Sequence, residues 1–98
     1  MFASGDVVCG KEEWEVFVSK VFMESLEIFR KKRHDYGTEN INMLGLKGVF
    51  VRIWDKTWRL KNLIWEGKEP KNESVEDTLI DIMNYCIIGL SLLRRGKW

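Results

Sequence analysis

The chain has 98 residues, enough for about one small domain. Sixteen Lys and Arg oppose fifteen Asp and Glu, a formal charge of +1 that carries no global polyanion-binding signature. Composition is globular at 45% hydrophobic and 32% charged residues; eight Gly and one Pro exclude collagen-like and proline-rich chains, and charges interrupt every apolar run well short of the ~18 residues a bilayer span needs.

The opening MFASGDVVCG contains an Asp and no basic segment, so residues 1–10 read as an irregular N-terminal stretch rather than a secretory signal. The first helix is predicted from about Lys11 to Arg33. Trp14, Phe17, Val18, Val21, Phe22, Ser25, Ile28 and Phe29 recur on one face at three-to-four spacing. Val16, Met23 and Leu26 add apolar surface away from that stripe. The basic turn from Arg30 to Arg33 suits the negative end of the helix dipole. Without interleaved aromatic residues it reads as a solvated helix end, and nucleic acid is not an expected partner.

Asp35 to Asn40 is a turn-rich link in which Gly37 supplies a positive φ or a close backbone approach. The second helix is expected to begin between Met43 and Gly48 and to reach about Glu66. Leu46, Phe50, Ile53, Thr57, Leu60 and Ile64 form its buried stripe, while Arg52, Asp55, Lys56, Arg59 and Asn62 form a polar stripe of the same period. Residues 49–54 are β-branched enough for a strand, but the flanking periodicity favours helix. Gly67 to Asn72, with the single proline Pro70, reads as the loop that stops this helix.

Ser74 followed three residues later by Asp77 is a capping-box signal opening the third helix. Leu79, Ile82, Met83, Cys86, Leu90 and Leu93 are its expected core face, and Arg94-Arg95-Gly96 its end. No segment alternates with period two for long enough to require a strand. The expectation is an all-α fold with three main helices in one domain spanning 1–98.

Two cysteines make no disulfide framework, and Cys86 within an apolar helical run reads as a buried thiol. With His34 as the single histidine, an ordinary Cys/His zinc site is not expected. Five Trp, five Phe and two Tyr are more than one core of this size readily hides, so a homo-oligomer is expected. The protein is expected to be soluble and cytoplasmic.

The third helix carries the sharpest anomaly. Asp77, Asp81 and Asn84 stand at i, i+4 and i+7, on one helical face. Asp81 is flanked by apolar residues, where a charge is expensive to bury unless it is paired or binds metal. Two carboxylates one turn apart suit Mg²⁺; the alternative is a pair of acids bridged to Arg52, Lys56 or Arg59 of the second helix. Those cations could neutralise phosphates while Asp55 adds a carboxylate. If the two polar stripes face each other, they enclose a charged cleft. The link adds His34, Asp35, Tyr36, Glu39 and Asn40, a mixture of rings and hydrogen-bonding groups that suits a nucleotide. His34 reads as a helix C-terminal cap ahead of a catalyst, and Tyr36 equally as a core residue or a base platform. Glu24 and Glu27 have ExxE spacing, as many solvated faces do.

Lys32-Arg33-His34-Asp35-Tyr36-Gly37, Glu39-Asn40, Arg52-Ile53-Trp54-Asp55-Lys56, Arg59-Leu60-Lys61-Asn62-Leu63 and the run from Glu73 to Asp81 with Asn84-Tyr85 follow one another in a recognisable order. This order resembles the nucleotide-modification-associated domains common in phage genomes. Those in turn resemble all-α nucleotide pyrophosphohydrolases of the MazG and dimeric dUTPase type. The resemblance covers roughly residues 12 to 95. It implies a MazG-like helical bundle, completed by oligomerisation, that acts as a Mg²⁺-dependent nucleoside triphosphate pyrophosphohydrolase in a host cytoplasm. Asp77 and Asp81 would be its catalytic acids, Glu76 and Asp55 would join them on metal, and Asn84 and Tyr85 would line the nucleotide pocket. The departure lies in the second helix. Where those hydrolases carry EExxE, this chain reads Trp54-Asp55-Lys56-Thr57-Trp58, one acid and a lysine. The alternative is a non-catalytic nucleotide or cyclic-nucleotide binder, such as a phage counter-defence protein that sequesters a signal.

Overall fold

A computed structural model describes residues 12–98. The expected irregular segment 1–10 and the expected helix start at Lys11 lie outside the described residues. Helix α1 spans Glu13–Tyr36 and α2 spans Glu39–Leu60, continuing into a π-helical turn, Lys61–Trp65. Helix α3 spans Val75–Arg95. No strand occurs among the described residues, so the fold is all-α. None of the described helices is long and apolar enough to cross a membrane.

The chain divides into two compact units between Tyr36 and Gly37. The first contains α1. It runs one turn further than expected, because His34, Asp35 and Tyr36 continue the helix and Gly37, with φ 71°, ends it. Acids begin this helix and bases end it, as its dipole favours.

The second unit is built on α2 and α3, which pack against each other. Glu39 already starts α2, four residues before the expected window. That window coincides with a break inside the helix, where Gly45 leaves helical geometry with φ 66° and ψ −156°. A positive φ is cheap only for glycine, so the punctuation marks a kink rather than a start. Ser74 caps α3 as expected: its Oγ accepts from Asp77 N at 3.0 Å, and Ser74 N donates to the Asp77 carboxylate. Gly96 ends α3 in the left-handed region.

The orientation of α2 and α3 corrects the expected core. The apolar stripes are expected inside, but Leu46 and Phe50 (61% exposed) of α2 and Ile64 of the π-helical turn are exposed. So are Leu79, Leu90 and Leu93 (67%) of α3, and the Cys86 thiol, expected buried, lies on an exposed residue. The buried side of α3 consists of Thr78, Asp81, Asn84, Ile88, Gly89 and Ser91. Small and polar residues allow close approach: a Cβ added at Gly89 would stand 3.6 Å from Leu46 and from Val49 of α2. Once one end of the seam is locked by ion pairs, the same rotation that turns the charges inward turns the leucines outward. Ile41, Val49 and Ile88 are the buried aliphatic side chains among the described residues.

Candidate functional site

The polar stripes of α2 and α3 face each other and run antiparallel. Arg59 meets Thr78, Lys56 meets Asp81, and Arg52 stacks over Tyr85 with its guanidinium 5.9 Å from the ring centre. The spacing explains the match. Arg52, Lys56 and Arg59 descend one face of α2 at four and three residues, while Thr78, Asp81 and Tyr85 climb α3 at three and four.

Lys56 is the centre of this seam. Its Nζ lies 3.0 Å from Asp81 Oδ2 and 2.8 Å from Glu73 Oε1. Asp81 is only 6% exposed, and the ammonium supplies the counter-charge that such burial demands. Burial alone would lower the lysine pKa, but hydrogen bonds and charge from Glu73 and Asp81 outweigh it and hold the ammonium above its ordinary value. Beside it, Arg59 donates from Nε to Thr78 Oγ1 at 3.2 Å and from its terminal nitrogen to the Glu73 carbonyl. Thr78 in turn donates to the Ser74 carbonyl at 2.9 Å. The start of α3 is therefore pinned to α2 by one lysine and one arginine.

Asn84 sits one helical turn beyond Asp81 and is 6% exposed. Among the described residues, neither its Oδ1 nor its Nδ2 has a hydrogen-bond partner. An amide left this way costs about 1–3 kcal/mol of desolvation, so it is an expensive residue to keep for packing alone. It offers one acceptor and one donor side by side, the pattern that reads the edge of a nucleobase.

The other residues singled out from the sequence are placed as follows. Asp77 is exposed and accepts from Ser74 N and Oγ, closing the capping box of α3. Glu76 and Asp55 are exposed, on α3 and α2 respectively. Glu39 and Asn40 occupy the first turn of α2, where Asn40 Oδ1 accepts from Ile41 N. His34, Asp35 and Tyr36 form the exposed last turn of α1, and His34 Nδ1 lies 3.3 Å from Asp35. Among the described residues, no three His, Cys, Asp or Glu side chains gather as a metal-holding group. Two participants escaped sequence reasoning. Glu73 lies in the loop just ahead of the Ser74 cap, and Thr78 follows Asp77; the excess of lysine and arginine over acid on the α2 stripe was the one signal that called for another carboxylate.

Beside the seam, the π-helical turn and the loop after it border an open cavity of about 400 Å³. Trp58 and Arg59 contribute to its wall from α2, and Lys68 and Lys71 from the loop.

No curated protein and no solved structure matches the chain. Residues 32–93 match a family described as nucleotide modification associated domain 1. That span is well over half of the 98 residues and includes all of α2, the π-helical turn and the whole polar seam. The chain therefore belongs to the nucleotide modification associated domain 1 family.

Proposed function

We propose that this domain binds a nucleotide at the α2–α3 seam and holds it without hydrolysing it. The observation that carries the reading is Asn84, buried in the seam with both polar atoms of its amide unpartnered among the described residues. A base edge would satisfy both. Arg52 and the Tyr85 ring flank the same stretch of the seam and supply a cation and a stacking surface. Membership of a nucleotide-associated family supports the same class of ligand.

Lys56 supports binding over Mg²⁺-dependent pyrophosphate cleavage. In a MazG-like hydrolase, acids on neighbouring helices share a divalent cation. Here the buried acid, Asp81, already shares an ammonium with Glu73, while Asp77 is occupied in capping α3. A divalent ion would have to displace Lys56 or sit against its positive charge. The residues present do not fit that metal group, and the chemistry left to them is recognition.

A homo-oligomer belongs to the same proposal. Exposed Phe50, Trp54, Leu90 and Leu93 form apolar surface on the helices that carry the seam, and a second copy would cover it. A phage protein of this kind would act in the host cytoplasm, sequestering a nucleotide or a cyclic-nucleotide signal.

The test is equilibrium dialysis against a panel of mononucleotides and cyclic dinucleotides. Arg52→Ala and Asn84→Ala should each weaken binding of the retained ligand at least tenfold. Unchanged affinity in both variants would refute the seam as the site.

A further inference from the structure

We infer that the cavity beside the seam is a second binding site, specific for a nucleoside phosphate and formed by the π-helical turn and the loop that follows it. Its volume of about 400 Å³ falls within the ~300–1,000 Å³ range of small-ligand sites. The chemistry of the wall is selective. Trp58 offers an exposed indole on which a base can stack, Arg59, Lys68 and Lys71 offer three cations, and Asn62 and Asn72 offer two amides. Asp55 and Glu69 also border the cavity, so the wall retains an excess of one positive charge. A bare aromatic ligand would leave the cations unused, and a bare anion would leave the indole unused.

The backbone explains why these groups converge. Five residues of π-helix widen the end of α2 at Lys61–Trp65, a local departure that recurs at functional sites. Lys68 N then donates to the Asn62 carbonyl at 3.1 Å, and Gly67 takes φ 72°, which folds the loop back along the turn. That reversal brings Lys68 and Lys71 beside Trp58. Lys61, which is not part of the wall, places its ammonium 5.0 Å from the Trp58 ring centre and helps to hold the indole in place. Arg59 belongs to both regions: it is anchored to Glu73 and Thr78 in the seam and borders the cavity as well. The site is nonetheless independent of the seam reading, because its stacking ring and both lysines lie outside that interface.

The test is a titration of isotope-labelled protein with adenosine monophosphate, and separately with inorganic phosphate, followed by nuclear magnetic resonance. The Trp58 indole signal is assigned from Trp58→Phe, and the charge requirement is read in a Lys68→Ala/Lys71→Ala variant. Both lysines are exposed loop residues, so the variant should fold. Saturable shifts are expected at the Trp58 indole and at the Asn62 and Asn72 amides, weakened at least tenfold in the double variant. Inorganic phosphate alone should bind at least tenfold more weakly than the nucleotide. Equal affinity for phosphate and nucleotide would overturn the nucleoside specificity. Shifts confined to Asn84 and Tyr85 would overturn the second site and leave the seam reading standing. Absence of saturable shifts at the cavity, or shifts insensitive to the two lysines, would also overturn it.

Discussion

The Lys56 ammonium lies 3.0 Å from a carboxylate oxygen of Asp81, a residue that is almost fully buried. Removing one partner of a buried ion pair costs about 3–5 kcal/mol. Lys56→Ala removes the counter-charge of the more deeply buried member and should fall within that range. Asp81→Ala leaves a lysine that keeps Glu73 and some contact with solvent, and should fall at or below the lower end of that range. Replacing both by well-packed apolar residues should recover much of the loss. Urea unfolding of the two single variants and the double variant measures the coupling.

The same pair makes stability fall at high pH. The lysine pKa is raised in the fold above its ordinary 10.5 despite the opposing effect of burial, because Glu73 and Asp81 stabilise the ammonium. Its contribution is therefore complete below about 10.5 and is lost as pH rises through the higher folded value. Urea midpoints measured from pH 9 to 12 should decline, and the decline should be shallower in Lys56→Met.

Asn84 should show stability and function in opposition. Replacing an unsatisfied buried amide with an apolar group of similar volume removes a desolvation penalty of about 1–3 kcal/mol. Asn84→Leu is therefore expected to raise the thermal midpoint of the free protein while abolishing nucleotide retention. A lowered midpoint in the ligand-free variant would show that the amide has a structural partner.

Asp77 and Asp81 are one turn apart and should behave differently. Losing the Ser74–Asp77 capping box costs about 0.5–2 kcal/mol and should leave the seam intact. Ser74→Ala and Asp77→Ala should thus bind nucleotide with near-normal affinity after a modest drop in melting temperature. Loss of binding in Asp77→Ala alone would place this acid on the ligand.

The exposed apolar faces predict self-association. Phe50→Glu with Leu93→Glu should shift the protein toward monomer by light scattering at micromolar concentration, while the native chain runs as an oligomer. A monomeric native chain would contradict the proposal.

The all-α class, the Ser74 cap and the Gly96 stop of α3 are legible in the sequence because each follows from local chemistry. The inward face of α3 is not. Leu79, Cys86, Leu90 and Leu93 share one stripe and Thr78, Asp81, Ser91 another, and helical period alone does not decide which stripe meets a neighbour. Pairing across the seam decides it. The same limit separates Asp77 from Asp81: their spacing puts them on one face, yet one closes a capping box and the other meets a lysine twenty-five residues earlier in the chain. Glu73 lies in an irregular loop with no period to reveal it, and the cavity depends on how Gly67 turns the loop back.

The most direct test is to incubate the protein with a nucleotide panel, with and without Mg²⁺, and to read products and retained ligand by chromatography and mass spectrometry. Binding without hydrolysis predicts intact nucleotide released on denaturation under both conditions. Monophosphate and pyrophosphate appearing only with Mg²⁺, and disappearing in Asp81→Ala, would contradict it and establish the hydrolase.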